Sequence, residues 1–247
     1  MTLPTPGLPW PTPDLAPAAT LSLLRTQTDR MLDAIRSLDD DAMREPSTLP
    51  DWTRGHLLTH VARNAGAVQN LCAWARTGDE TPMYASRDKR AADIEAGSTR
   101  SADELIADVE KTAKALALDL EVLPQRRWLA EVRHGGTGDA KPAWWIPMMR
   151  LGEIELHHVD LNVGYEPVEW PSAWVRNTLP DAAHDLERQA GEPLSLEATD
   201  VELRVGADDA RTVSGPTTDL LAWVTGRSNG SALTISAGKL PKLGEWR

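Results

Sequence analysis
The sequence predicts a protein in two parts, a bundle of four helices over residues 19–165 and a smaller α/β domain over residues 166–247. Three observations carry this reading. Up to about residue 161, apolar residues recur at helical spacing in four separate segments. Beyond Pro167, the short alternating stretches LSLEATDVELRVG and RTVSG read as strands set between helical runs. Gly164 and Pro167 punctuate the change of character between the two parts.

Residues 1–18 are proline-rich and read as an extended arm. They lack the basic start and apolar core of a secretory signal, so none is expected. The first helix is expected over residues 19–38, with Leu21, Leu24, Met31, Leu32, Ile35 and Leu38 on one face. The stretch SLDDDAMREPSTLPDW then breaks the pattern. Thr53 is the expected N-cap of a second helix that passes through His60 to about Arg76 and stops near Gly78. TGDETPMYASRDKRAADIEAGS follows as a polar loop; it is long for a connector, which suggests a functional role. Ser101 and Glu104 form a capping box for a third helix carrying Leu105, Val109, Leu116 and Leu120. Residues 126–142 read as irregular and glycine-rich, and 143–161 as the fourth helix. In the second part, PSAWVRNTLPDAAHDLERQAG reads as a helix containing Pro180. PTTDLLAWVTGRSNG reads as a short helix capped by Thr217 or Thr218 and stopped at Gly226, and ALTISAG as a further strand.

Composition narrows the function. The chain is 41% hydrophobic and 26% charged, ordinary for a soluble globular protein. It has no run of eighteen apolar residues, so no membrane span is expected. The single cysteine, Cys72, excludes an internal disulfide and fits a reducing cytoplasm. Its apolar helical setting, NLCAW, marks it as a packing residue. A net charge of −11 argues against nucleic acid as a partner, and an anionic substrate would need a locally basic pocket. With no Phe and ten Trp, tryptophan is expected at the large aromatic core positions. No apolar surface pattern suggests self-association, so a monomer is expected.

Two stretches carry candidate chemistry. HLLTHVARN places His56, His60 and Asn64 four residues apart on one helix face. RLGEIELHHVDL places Glu153, His157 and Asp160 on one face of the fourth helix. Bundle interiors take metal ligands from facing helices. Glu153 and His157 with a histidine of the second helix would give two imidazoles and one carboxylate, a set suited to Zn²⁺ with the fourth position open. The pattern fits solvated helix pairs equally well. HLLTH lacks the adjacent glutamate of the metalloprotease motif, so protease chemistry is not supported.

GHLLTHVARNAGAVQNLCAWARTGDETPMYASRDKRAADIEAGS, RLGEIELHHVDLNVG and DLLAWVTGRS together resemble the mycothiol-dependent maleylpyruvate isomerases. The resemblance spans nearly the whole chain after about residue 15. It implies an N-terminal DinB-like four-helix bundle with a metal site and a smaller C-terminal α/β domain. It also implies His60, Glu153 and His157 as metal ligands, favouring His60 over His56. Arg90 in SRDKRAADI sits where the family has an arginine after the TPMY stretch, with Arg87 a neighbouring competitor, and Arg227 in TGRS matches an arginine that the family implicates in catalysis; the resemblance makes both catalytic candidates. The implied reaction is the cis–trans isomerisation of maleylpyruvate to fumarylpyruvate. A thiolate adds to the double bond, the resulting single bond rotates, and the thiol leaves again. The implied partners are a dicarboxylate substrate, Zn²⁺ and a small thiol, with mycothiol first and ergothioneine an alternative. Two arginines suit bidentate carboxylate recognition, and Arg227 would put the active site between the domains. Asp160 reads either as an acceptor that orients a ligand histidine or as a helix-end polar residue. The competing readings are a thiol S-transferase, which would not release the thiol, and a non-enzymatic zinc-binding module.

Overall fold
The computed structural model describes residues 16–135, 138–184 and 186–244. The chain divides into two compact units between Val163 and Gly164. Most of the expected N-terminal arm, residues 1–15, lies outside the described residues, and its last two residues already belong to a helix.

In the first unit, α1 (Pro17–Ile35) opens on a proline, whose missing N–H has no helical partner to lose at that position. It buries Leu24, Met31, Leu32 and Ile35, and ends before the expected Leu38. The stretch read as a break contains a short helix, α2 (Asp40–Arg44). The Asp39 side chain caps it, accepting from the Ala42 N–H at 2.9 Å.

Helix α3 (Arg54–Thr77) has Thr53 as its N-cap and stops at Gly78, whose φ of 90° suits a residue without Cβ. It is buried around most of its circumference, with α5, α6 and α4 packed against it. Its apolar residues therefore form no single stripe.

The expected long loop is in its second half a helix, α4 (Arg87–Gly97), capped by Ser86. Only Ile94 is buried there, so hydrophobic periodicity could not reveal it. Two glycines bring it close to α3. A Cβ at Gly55 would meet the Ser98 carbonyl oxygen at 2.1 Å, and one at Gly97 would meet Thr59 Cγ2 at 2.5 Å. This close approach sets the position of Arg90.

Helix α5 (Ala102–Glu121) begins with the Ser101/Glu104 capping box and buries Leu105, Val109, Leu116 and Leu120. The stretch expected to be irregular holds a 3₁₀ turn (Gln125–Leu129) and an antiparallel hairpin of β1 (Glu131–Arg133) and β2 (Ala140–Pro142). A second 3₁₀ turn (Ala143–Trp145) leads into α6 (Ile146–Asp160), so the fourth long helix starts three residues later than expected. Helix α1 packs against α5 and α6, which closes the core.

The second unit is a four-stranded sheet with helices. The expected helix over 171–191 is two helices, α7 (Ser172–Ala183) with Pro180 inside it and α8 (Leu186–Ala190). The sheet contains β3 (Leu194–Ala198), β4 (Arg204–Gly206), β5 (Arg211–Gly215) and β6 (Thr234–Ile235), in the order β4-β3-β5-β6. Only the β3/β5 pair is parallel. Helix α9 (Thr217–Val224) follows β5. Thr217 is its first residue and not its cap. The Asp200 carboxylate holds that end instead, accepting from the Thr217 N–H at 2.9 Å and hydroxyl at 2.8 Å. Trp128, Trp170, Trp174 and Trp223 are buried, as expected for a chain without Phe. Among the described residues no helix is long and apolar enough to cross a membrane.

Candidate metal centre
Helices α3 and α6 bring His60, Glu153 and His157 together in the first unit. His60 comes from α3; Glu153 and His157 sit one turn apart on α6. His60 Nε2 lies 3.1 Å from Glu153 Oε2 and 3.1 Å from His157 Nε2, and the third side of this triangle is 3.3 Å. Ligand atoms about 2.0–2.1 Å from a tetrahedral ion stand about 3.3–3.4 Å from one another. The triangle is therefore close to the size of one face of a tetrahedral site. Among the described residues it is the one cluster of three or more His, Cys, Asp or Glu side chains able to hold a metal ion.

The electrostatics suit a cation. Burial pushes His60 down to about 4, against the pull of Glu153, so its imidazole is neutral at physiological pH. Burial works to raise the Glu153 carboxyl, but its hydrogen bonds with His157 and His60 hold it well below the usual carboxylate range. His157 Nδ1 lies 2.9 Å from Asp160 Oδ2. Asp160 accepts from the Thr48 hydroxyl at 3.0 Å through its other oxygen, and its backbone carbonyl takes the Thr48 N–H at 2.9 Å. Asp160 thus takes the His157 Nδ1 proton and turns Nε2 toward the cluster. Of the two readings of Asp160, the geometry favours the histidine-orienting one.

His56 is engaged elsewhere. Its Nδ1 accepts from the Thr53 N–H at 3.2 Å, completing a capping box at the start of α3, and its Nε2 lies 3.3 Å from Glu95. Trp52 separates the two histidines, stacking on His56 and meeting His60 edge-on with ring centroids 5.6 Å apart.

Arg90 reaches the cluster from α4, with Nη2 3.1 Å from His60 Nδ1. A guanidinium only donates, so in this arrangement His60 Nδ1 accepts and its proton is on Nε2. Coordination through Nε2 moves that proton to Nδ1, which Arg90 cannot accept. A metal ion and Arg90 would thus compete for the tautomer of His60. Arg87, the competing arginine, is exposed on the first turn of α4. Arg227 belongs to the second unit, just beyond α9, where its guanidinium donates to the Thr225 carbonyl oxygen.

Sequence reasoning missed two residues beside the cluster. Arg150, one turn before Glu153, is 1% exposed. Its Nη1 donates to the Val61 carbonyl at 3.0 Å and to Asn64 Oδ1 at 2.7 Å. Burial lowers it to about 10, opposed by the negative charge of Glu153, so it stays charged. The i, i+3, i+7 spacing of residues 150, 153 and 157 carried this signal in the sequence. Tyr84, in the TPMY stretch, packs under Arg90, whose Cζ lies 5.7 Å from its ring centroid. Cys72, which the sequence reading left as a packing residue, is buried, and burial pushes its thiol up to about 12.

Residues 24–162 match the model of the mycothiol maleylpyruvate isomerase N-terminal domain. Among solved structures, the chain matches the crystal structure of the mycothiol-dependent maleylpyruvate isomerase, with 31% identity and a TM-score of 0.86. The match covers 94% of this chain and 98% of the other. A histidine-to-alanine mutant of that isomerase matches with the same values. No curated protein sequence matches.

Proposed function
Since the chain belongs to the mycothiol maleylpyruvate isomerase family, we propose that it converts maleylpyruvate to fumarylpyruvate with a small thiol as co-catalyst, mycothiol first, and Zn²⁺ as its metal. The observation that carries this reading is the convergence of His60 Nε2, Glu153 Oε2 and His157 Nε2 on one point. Two imidazoles and a carboxylate are a zinc donor set that leaves a fourth position open. A bound zinc ion supplies the acidity that keeps a coordinated thiol in its nucleophilic thiolate form.

The chain's own groups have separable tasks. Asp160 orients His157, and burial keeps His60 neutral and available as a ligand. Arg90, once displaced from His60, binds a substrate carboxylate beside the centre; its planar fork suits that anion. Arg227 is the second cation of this reading. Cys72 takes no part, because a buried thiol titrating near 12 supplies no thiolate at neutral pH. The thiol therefore comes from outside the chain.

The test is an isomerisation assay on maleylpyruvate with a panel of thiols that includes mycothiol and ergothioneine, run with and without a chelator. The expected result is turnover with mycothiol, the thiol recovered unchanged, and activity lost to the chelator and in Glu153→Ala. Turnover with another thiol alone changes the co-catalyst and keeps the mechanism. Consumption of the thiol identifies a transferase, and no turnover with any thiol refutes the proposal.

A further inference from the structure
A second tie joins the two helices that carry the metal cluster. Arg150 shares a face of α6 with Glu153 and His157, at i, i+3 and i+7. From there it reaches α3, where its Nη1 donates to the Val61 carbonyl at 3.0 Å and to Asn64 Oδ1 at 2.7 Å. Val61 follows His60 in the chain, and Asn64 sits one turn beyond His60 on the same face. Val61, Asn64 and Arg150 are all buried. Thus α3 and α6 meet on two polar rungs: His60 against Glu153 and His157, and Asn64 against Arg150.

The second rung opposes stability on its own account. A guanidinium buried against neutral acceptors has lost its hydration, and Arg150 Nη2 is buried with no hydrogen-bond partner among the described residues. An apolar side chain of similar length would fill the space at lower cost. Directional bonds supply what apolar contact does not, a single register. Helix α3 needs that, because it is buried around most of its circumference and its apolar residues mark no one face for α6. A slip of one residue moves a side chain about 1.5 Å along the axis and turns it by about 100°, whereas metal ligands must sit within about 0.2 Å of their places.

We infer that the Arg150–Asn64 tie is the register lock of the metal centre, holding His60 opposite Glu153 and His157 before any ion arrives. Arg150 and Asn64 are positioning residues, and Asn64 acts through the helix that carries His60. This rests on the reading of the cluster as a zinc site.

The test is the double variant Arg150→Met/Asn64→Leu. It exchanges both partners for apolar groups of similar size and strands neither, so its thermal midpoint should stay close to that of the wild type. Its zinc affinity, measured by chelator competition on the metal-free protein, should fall about tenfold or more, as when the support behind a ligand is removed. The sign is diagnostic, because losing a positive charge beside a cation site would by itself tighten binding. Cobalt(II) in place of zinc should give weaker visible absorption in the variant, as His60 leaves the ligand set. Among single variants, Asn64→Leu should lose a similar factor. Asn64→Asp keeps an acceptor for Arg150 and should bind zinc at least as tightly as the wild type. The inference is overturned by zinc affinity within about twofold of the wild type, or tighter, in the double variant or, should that protein not fold, in Asn64→Leu. Equal losses in Asn64→Leu and Asn64→Asp overturn it too. A wild type that binds no zinc would refute the metal reading itself, whereas a zinc-binding wild type with equally tight variants would refute only the lock.

Discussion
Asp160 offers the sharpest test of the metal centre. It is 1% exposed and bridges His157 Nδ1 to the Thr48 hydroxyl. Asp160→Ala removes the acceptor that holds the His157 proton on Nδ1, so the tautomer with Nε2 protonated and unable to ligate becomes populated. Loss of such a partner costs about 10–100-fold in metal affinity, or about 1.4–2.8 kcal/mol. Asp160→Asn keeps the shape and one acceptor oxygen but loses the charge, so its loss should be smaller. Two assays read this: competition with a chromophoric chelator, and thermal unfolding with and without excess Zn²⁺. Ligand stabilisation grows as RT ln(1 + [L]/Kd), so a hundredfold weaker site loses about 2.7 kcal/mol of zinc-induced stabilisation at a fixed, saturating zinc concentration. The metal-free variant should also be less stable by about 1–3 kcal/mol, because the largely buried His157 Nδ1 donor loses its acceptor. Zinc affinity within about twofold of the wild type in Asp160→Ala would refute the argument.

Other outcomes are expected. Arg90→Met should bind zinc about tenfold more tightly, since coordination no longer displaces a charged hydrogen bond worth about 1.5 kcal/mol or more; it should also isomerise more slowly, and weaker chelator-measured binding would refute the tautomer competition. Cys72 should resist a disulfide reagent in the native protein at pH about 8 and react fully after denaturation, because its thiol titrates near 12 only while buried; rapid native labelling would contradict this. Asp200→Ala should destabilise the protein by about 1 kcal/mol through the start of α9, read as a lower urea midpoint. Thr217 holds the Asp200 carboxyl below its ordinary value against the effect of burial. Its contribution is therefore present above about pH 4 and is lost as pH falls through the lower native value, so the gap between wild type and variant should close in acid.

The sequence disclosed those features that leave a local signature. α3 and α5 were legible because Thr53, Ser101 and Glu104 cap them and Gly78 stops the first. α4 was not, since it buries little beyond Ile94 and is held by backbone closeness at Gly55 and Gly97, which no apolar pattern records. The β1–β2 hairpin has three residues per strand, too few for alternation to show. In the candidate site, the four-residue spacing of Glu153 and His157 was visible. The choice between His56 and His60 depended on a tertiary fact, the engagement of His56 with Thr53 and Glu95. Arg150 escaped notice because a lone arginine on an amphipathic helix usually faces water. Its spacing placed it on the face of Glu153 and His157, and the meeting of α3 and α6 at Asn64 is what buries it.

The silence of Cys72 also makes the protein convenient to instrument. With its one native thiol sealed in the interior, cysteines placed on the surface become the sole addresses for a thiol-directed dye. Leu118 and Val168, 63% and 81% exposed, offer one such address in each unit. A pair of fluorophores attached there would report, by energy transfer, the distance between the units as thiol and dicarboxylate are added in turn, with no native residue removed from the core.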